Sequence, residues 1–136
     1  MTATRPSIVL AFDFGLRNIG VATGQMITRT ATELVTLRAR DGVPDWREVA
    51  TLVAEWRPDL LLVGLPLNMD DTKSDMAVRA ERFAKQLRKR FGREVALVDE
   101  RLTSVEARGL SRDIGAQHAI AARLIAETYL NDTSRG

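Results

Sequence analysis

Three acidic segments of this chain follow apolar runs, at the positions where strands would end. Asp13 closes "SIVLAFD", Asp99 and Glu100 close "EVALVDE", and "LPLNMDD" at 65–71 follows another apolar run. A carboxylate that is buried without a partner is costly, so each acid is either paired or placed at the mouth of the fold. Carboxylates gathered at one edge of a sheet bind hard divalent cations, which favours phosphodiester chemistry.

Each acidic group also has a purely structural interpretation. Asp13 followed by Gly15 indicates either a turn aspartate or a carboxylate that a phosphate can approach closely. Asp99 and Glu100 are neighbours on a strand and face opposite sides, so at most one of them shares a site with Asp13. Asn68, in the loop after the fourth strand, either contacts a ligand or belongs to a solvated turn.

The single histidine, His118, lies near the start of the last predicted helix. A lone helical histidine is usually a core or surface residue, but a helix that packs on the first strand would bring His118 towards Asp13. The basic residues of segment 74–91 indicate either a solvated face or a surface that follows phosphates. The basic residues expected nearer the acids, where a polyanionic substrate would be neutralised, are Arg17, Lys73 and Arg101.

The elements that must position these residues follow from the hydrophobic period. Apolar runs bounded by turn residues predict strands over 7–13, 20–25, 32–39, 59–66 and 94–100. Three- and four-residue spacing predicts helices over 44–58, 74–91 and 116–130, with a short helix at "LTSVEARGL". An opening meander followed by helix–strand units predicts an α/β fold, a mixed sheet with helices on both faces. Ligands of such sheets gather at the carboxyl ends of the parallel strands, where the acids lie.

Length and composition limit the class of protein. A chain of 136 residues, 45% apolar and 28% charged, predicts one globular domain over 1–136. We expect no membrane partner and no secretion, because no apolar run approaches the roughly 20 residues of a membrane span and no signal pattern is present. The absence of cysteine excludes disulfides and agrees with a cytoplasmic location. The net charge of +2 does not by itself indicate a nucleic-acid partner.

Three stretches of the sequence together resemble one known family. "LAFDFGLRNIGVATG", "LLLVGLPLNMDDT" and "VALVDERLTSVEA" resemble the YqgF family, the RuvX-type proteins related to Holliday junction resolvases. The resemblance covers nearly the whole chain and implies a ribonuclease H-like fold, whose five-stranded mixed sheet has an antiparallel second strand. It also implies a cytoplasmic nuclease that processes the 5′ end of precursor 16S ribosomal RNA in ribosome biogenesis, with the pre-ribosomal particle as a partner.

The family's acids are carried over residue by residue. Asp13 matches the first acid of the family, and Glu100 matches the acid of its D-E-R motif. The third acid, an aspartate early in the last helix, falls on His118 when it is counted back from Tyr129. The segment before this helix is also shorter than the family's. We interpret His118 as a ligand or positioning group; the alternatives are Asp113 from the shortened loop, a loss of activity, or a sequence that lacks residues there.

The predicted mechanism is metal-assisted hydrolysis. Two divalent ions, Mg²⁺ or Mn²⁺, would activate a water and relieve charge on the leaving oxygen. Asp13 would bridge the ions, Glu100 would hold one, and His118 would complete the other or orient the water. The residues expected to bind substrate are Arg17, Asn68, Lys73 and Arg101.

Three other functions stay open. A Holliday junction resolvase would use the same fold on branched DNA, and phosphate contacts do not distinguish the two substrates. A non-catalytic RNA-binding module would keep the fold after losing the third carboxylate. "FDFGLRNIGVAT" also resembles the phosphate-binding hairpin of actin/hexokinase-like phosphotransferases, which close two such domains around ATP. The oligomeric state is not predicted.

Overall fold

The computed structural model describes residues 7–66, 74–99 and 114–132. Its strands are β1 (Ile8–Asp13), β2 (Asn18–Gln25), β3 (Thr30–Arg40), β4 (Val43–Pro44), β5 (Leu60–Leu65) and β6 (Glu94–Asp99). Its helices are α1 (Trp46–Trp56), α2 (Asp75–Phe91) and α3 (Ile114–Leu130).

The strands form one mixed sheet in the order β4-β3-β2-β1-β5-β6. β2 is antiparallel to β1 and β3, whereas β5 is parallel to β1 and β6. The predicted α/β fold, with its antiparallel second strand, is therefore confirmed. Within the described ranges, no helix has both the length and the apolar character that a membrane span needs.

Two strands at the edges of the sheet differ from the prediction. The described residues form six strands instead of five, because Val43 and Pro44 pair with Arg40 and Ala39 at the end of β3. A strand of two residues that ends in proline shows no alternation, so its sequence does not reveal it. The apolar run "EVALVDE" predicts a buried strand, whereas β6 lies at the edge of the sheet and Leu97 is 40% exposed.

The central strand β1 separates two apolar cores. Leu10 and Phe12 belong to the core that α1 and α2 cover, whereas Val9 and Ala11 belong to the core that α3 covers. Because side chains alternate along a strand, Asp13 continues the series of Val9 and Ala11. Its carboxylate therefore lies on the α3 side of the sheet. Helices cover both faces, as predicted.

Two side-chain caps and a glycine mark helix boundaries in the structure. The Asp45 side chain accepts the Arg47 N–H at 3.0 Å before α1, and Ser74 Oγ accepts the Ala77 N–H at 3.1 Å before α2. The side-chain hydrogen bond from Arg47 also holds the pKa of Asp45 below its usual value. Gly92 ends α2 in the left-handed conformation with φ 62°, which glycine adopts without strain.

Asp59 joins the start of β5 to the start of β1. Its Oδ2 accepts hydrogen bonds from the Ser7 N–H at 3.0 Å, the Ser7 hydroxyl at 2.9 Å and the Ile8 N–H at 3.2 Å. These bonds, the Ser7 backbone first, together with the charge of Arg93, lower the pKa of Asp59. A lowered pKa means that the ionised carboxylate stabilises the fold. This stabilisation is complete above the ordinary value of about 3.9 and is lost as the pH falls through the lower folded value.

We expect Asp59→Ala to lower the free energy of unfolding by about 1 kcal/mol at neutral pH, a small loss because the exposed bonds are screened by solvent. Urea unfolding of both proteins checks this. The difference in free energy of unfolding between the two proteins should shrink as the pH is lowered from about 5 to about 2, since Asp59 of the wild type then loses its charge. An equal difference at both ends of this range would contradict the assignment.

Candidate active site at the end of the first strand

Asp13 and His118 meet at the carboxyl end of β1. His118 Nδ1 lies 3.0 Å from Asp13 Oδ2, although 105 positions separate the two residues in the sequence. The Asp13 residue is 7% exposed, whereas the His118 side chain is 28% exposed and reaches solvent. An ionised carboxylate only accepts hydrogen bonds, so Nδ1 of a neutral imidazole carries the proton and Nε2 keeps its lone pair. The pair places an oxygen atom and a nitrogen atom that could both ligate a metal ion at one strand end.

The two phenylalanines beside Asp13 fix the direction of its carboxylate. The ring centroids of Phe12 and Phe14 lie 5.7 and 5.3 Å from that of Phe83 on α2. Both rings therefore belong to the α2 side, and the residue between them must face α3. In the sequence "FDF", alternation along the strand thus places the Asp13 carboxylate on the face covered by the helix that carries His118.

α3 approaches the sheet closely because β2 has a glycine opposite Asp13. Gly20 is the register partner of Asp13. A Cβ added at Gly20 would collide with the backbone carbonyl of His118 and would lie 2.8 Å from the Ala119 nitrogen. The position of His118 thus depends on Gly20, which was not among the predicted site residues. The signal was present, since a glycine inside an apolar strand indicates a close backbone approach.

An ion pair from Arg123 also links α3 to the sheet. Arg123 Nη1 donates to Glu33 Oε1 of β3 at 3.0 Å. Arg123 Nε lies 3.7 Å from Glu127 Oε2, one turn further along α3. The bond from Arg123 to Glu33, together with the apolar residues Ile125 and Leu130 against β1, opposes rotation of the helix about its axis.

The predicted site residues fall into two groups. Asp13 and His118 are brought together, and Arg17 is exposed in the turn after Asp13, where its carbonyl accepts the Ala39 N–H at 2.8 Å. The others lie outside the described residues: Asn68, Lys73, Glu100, Arg101 and the alternative Asp113. Within the described ranges, no group of three His, Cys, Asp or Glu side chains could hold a metal ion. The described part of the chain therefore supplies two donors to this site.

Comparison with known proteins finds relatives along nearly the whole chain. The RuvX family model, described as a Holliday junction resolvase, matches residues 7–132. Two similar proteins carry the name "Putative pre-16S rRNA nuclease". The one from Azotobacter vinelandii is 50% identical over 139 residues, covering 96% of this chain and 98% of its own. The one from Marinobacter nauticus is 51% identical over 133 residues, covering 91% and 92%.

Two solved structures share the architecture at low sequence identity. T. thermophilus RuvC in complex with a Holliday junction substrate is 14% identical, with a TM-score of 0.54 over 93% of this chain and 96% of that one. The Fowlpox virus resolvase in complex with Holliday junction DNA is 14% identical, with a TM-score of 0.53 over 92% and 99%. These likenesses concern the fold.

Proposed function

This chain belongs to the RuvX family, and from that membership we propose that it is a cytoplasmic nuclease that cleaves the 5′ end of precursor 16S ribosomal RNA. The observation that carries the proposal is the contact of Asp13 with His118 at the carboxyl end of β1, where α/β sheets of this kind bind their ligands. We also propose that residues 1–136 form a single nuclease domain, since every described strand belongs to one sheet.

We propose that Asp13, Glu100 and His118 hold Mg²⁺ or Mn²⁺. The donor types fit, because both ions prefer carboxylate oxygens and Mn²⁺ also accepts imidazole nitrogen. Glu100 is included because it matches the acid of the family's D-E-R motif. When bound, the two metal ions would activate a water and offset charge on the leaving oxygen.

The hydrogen bond between His118 and Asp13 positions both side chains for this role. The Nδ1–H group donates to Oδ2, which fixes the orientation of the imidazole and leaves Nε2 as its ligand atom. The turn beside the pair requires Gly15, since a Cβ there would collide with the Asn18 backbone carbonyl but would make only an ordinary contact, 3.6 Å, with His118 Cε1. The phosphates next to the scissile bond would contact the proposed substrate-binding residues Arg17, Asn68, Lys73 and Arg101.

An imidazole ligand predicts a preference among metals. Mg²⁺ selects oxygen ligands more strictly than Mn²⁺, so we expect cleavage to be about tenfold faster with Mn²⁺ at equal subsaturating concentrations. The variant His118→Asp should reduce this ratio, because it replaces nitrogen by oxygen. Initial cleavage rates of both proteins with both metals check the prediction. An unchanged ratio in the variant would remove His118 from the ligand set.

A cleavage assay with two substrates tests the proposed function. One substrate is a precursor 16S RNA segment that spans the mature 5′ end, and the other is a four-way DNA junction. We expect cleavage of the RNA near the mature end with Mn²⁺ or Mg²⁺. Resolution of the junction without RNA cleavage would favour a resolvase. RNA binding with no cleavage under any metal condition would favour a non-catalytic binding module.

A further inference from the structure

A pocket of about 290 Å³ lies on the α1–α2 side of the sheet, against the end of β1. Its volume is at the lower end of the range for small-ligand sites. The turn between β3 and β4 and the helices α1 and α2 surround it. We call it the aromatic pocket, and the side chains that matter here are Phe14, Trp46, Phe83, Arg79, Arg82 and Arg90.

The wall of the aromatic pocket is a set of packed rings. Trp46 stacks on Phe83 with a centroid distance of 5.7 Å and an interplanar angle of 23°, and Phe14 lies 5.3 Å from Phe83. The Arg90 guanidinium carbon lies 4.3 Å from the centroid of the Trp46 ring. Phe14 and Phe83 are only 7% and 4% exposed, and Arg90 lies over Trp46, so the planar group open to solvent here is the exposed Arg90 guanidinium. Unpaired nucleic-acid bases stack on guanidinium planes of this kind.

The rim of the aromatic pocket is basic. Arg79, Arg82 and Arg90 all lie on α2 and are exposed. The acidic side chain that lines it is Asp41, which pairs with Arg79 at 3.4 Å. A second copy of this chain docked on the same face would bring like charges together, whereas a phosphodiester backbone complements them. Rings beside guanidinium groups therefore favour single-stranded nucleic acid as the occupant.

The aromatic pocket and the candidate active site share one strand end. Phe14 follows Asp13 directly, so their Cα atoms are about 3.8 Å apart while their side chains take opposite faces of the sheet. A polynucleotide that crosses the end of β1 would contact both. We infer that the aromatic pocket binds an unpaired nucleotide of the RNA strand presented to Asp13, with its base on the Arg90 guanidinium over Trp46 and its phosphate at Arg82. The inference rests on the proposed function, because that strand is the substrate.

Tryptophan fluorescence tests this directly, because the chain has two tryptophans and one lines the pocket. The variant Trp56→Phe leaves Trp46 as the reporter. We expect a single-stranded RNA of about ten nucleotides, titrated in EDTA so that no cleavage occurs, to quench its emission saturably. In the reverse variant, Trp46→Phe, the emission of Trp56 should stay unquenched. Quenching of both reporters, or of neither, would overturn the inference.

A charge-matched pair of variants in the Trp56→Phe background separates the pocket from general basicity. Arg82→Gln should weaken RNA binding about tenfold, because it removes a charged hydrogen-bond donor at the rim. Lys85→Gln removes the same charge from the same helix, but Lys85 lines a different groove with Val95 and Leu97. We expect Lys85→Gln to change the affinity by less than about twofold. Equal losses of RNA affinity in the two variants would contradict the inference. So would an affinity for a fully paired RNA duplex equal to that for the single strand.

The pocket and the proposed function can fail separately. The pocket alone would be refuted if Arg82→Gln bound RNA with normal affinity and showed the same quenching as its Trp56→Phe parent, while cleavage still required Asp13. Saturable quenching of Trp46 without RNA cleavage under any metal condition would refute the nuclease, although the pocket would then bind RNA. Circular dichroism of each variant checks that it is folded.

Discussion

Asp13→Asn is expected to lower the rate of RNA cleavage by about a thousandfold or more while the protein stays folded. Asparagine has the same shape and keeps an oxygen that can accept the Nδ1–H of His118, so the contact seen at 3.0 Å is retained. What it loses is the negative charge that would bind the metal ions. Single-turnover cleavage of the precursor RNA with saturating Mn²⁺ measures the effect, and circular dichroism confirms the fold.

The matched control for this variant is Asp59→Asn. It makes the same chemical change, but Asp59 contacts Ser7 and Ile8 at the opposite end of β1. We expect Asp59→Asn to cleave within about twofold of the wild-type rate, since this residue touches neither His118 nor the carboxyl end of the strand. A normal rate in Asp13→Asn, or an equal loss in both variants, would contradict the proposed catalytic role of Asp13.

The second large effect is expected for Gly20→Ala, which should lower the free energy of unfolding by about 3 kcal/mol. The new Cβ would collide with the backbone carbonyl of His118, and a backbone carbonyl does not rotate away as the tip of a side chain does. α3 must then move off the sheet, which carries His118 away from Asp13. Urea unfolding measures the stability, and the cleavage rate of the folded variant measures the displacement.

Gly24→Ala is the control for this substitution, since it adds the same methyl group to the same strand. Its Cβ would lie 2.9 Å from Val9 Cγ2 and 3.0 Å from Leu130 Cδ1, which are side-chain atoms and not backbone. We expect a loss of about 1 kcal/mol and nearly normal cleavage. If the two variants are equally destabilised, close contact with the α3 backbone is not what makes Gly20 necessary.

Much of the fold could be predicted because its signals are local. The caps at Asp45, Ser74 and Gly92 mark helix ends through contacts within one turn. The nearly continuous apolar run of β1 indicated a strand buried on both faces. The family resemblance added the antiparallel second strand, and both the family and this topology are confirmed.

What the sequence did not reveal depends on contacts between distant segments. The strand at Val43 is too short to carry a period, and the closeness of Gly20 to α3 exists only after the helix has packed. The aromatic pocket joins Phe14, Trp46 and Phe83 from three different elements, which no spacing along the chain connects. Glu100 and the other predicted site residues outside the described ranges stay predictions.

The position of α3 in the chain has a consequence for biosynthesis. β1, β2 and β3 are joined by short turns, so their pairing is local and can form early. The pairing of β1 with β5, in which Val9 lies opposite Leu60, forms only after β5 has been synthesised. α3 comes later in the sequence than every other described element, yet it supplies His118. Translation proceeds from the N-terminus, so the partner of Asp13 is made after the rest of the sheet. A nascent chain that still lacks this helix therefore lacks the contact between Asp13 and His118.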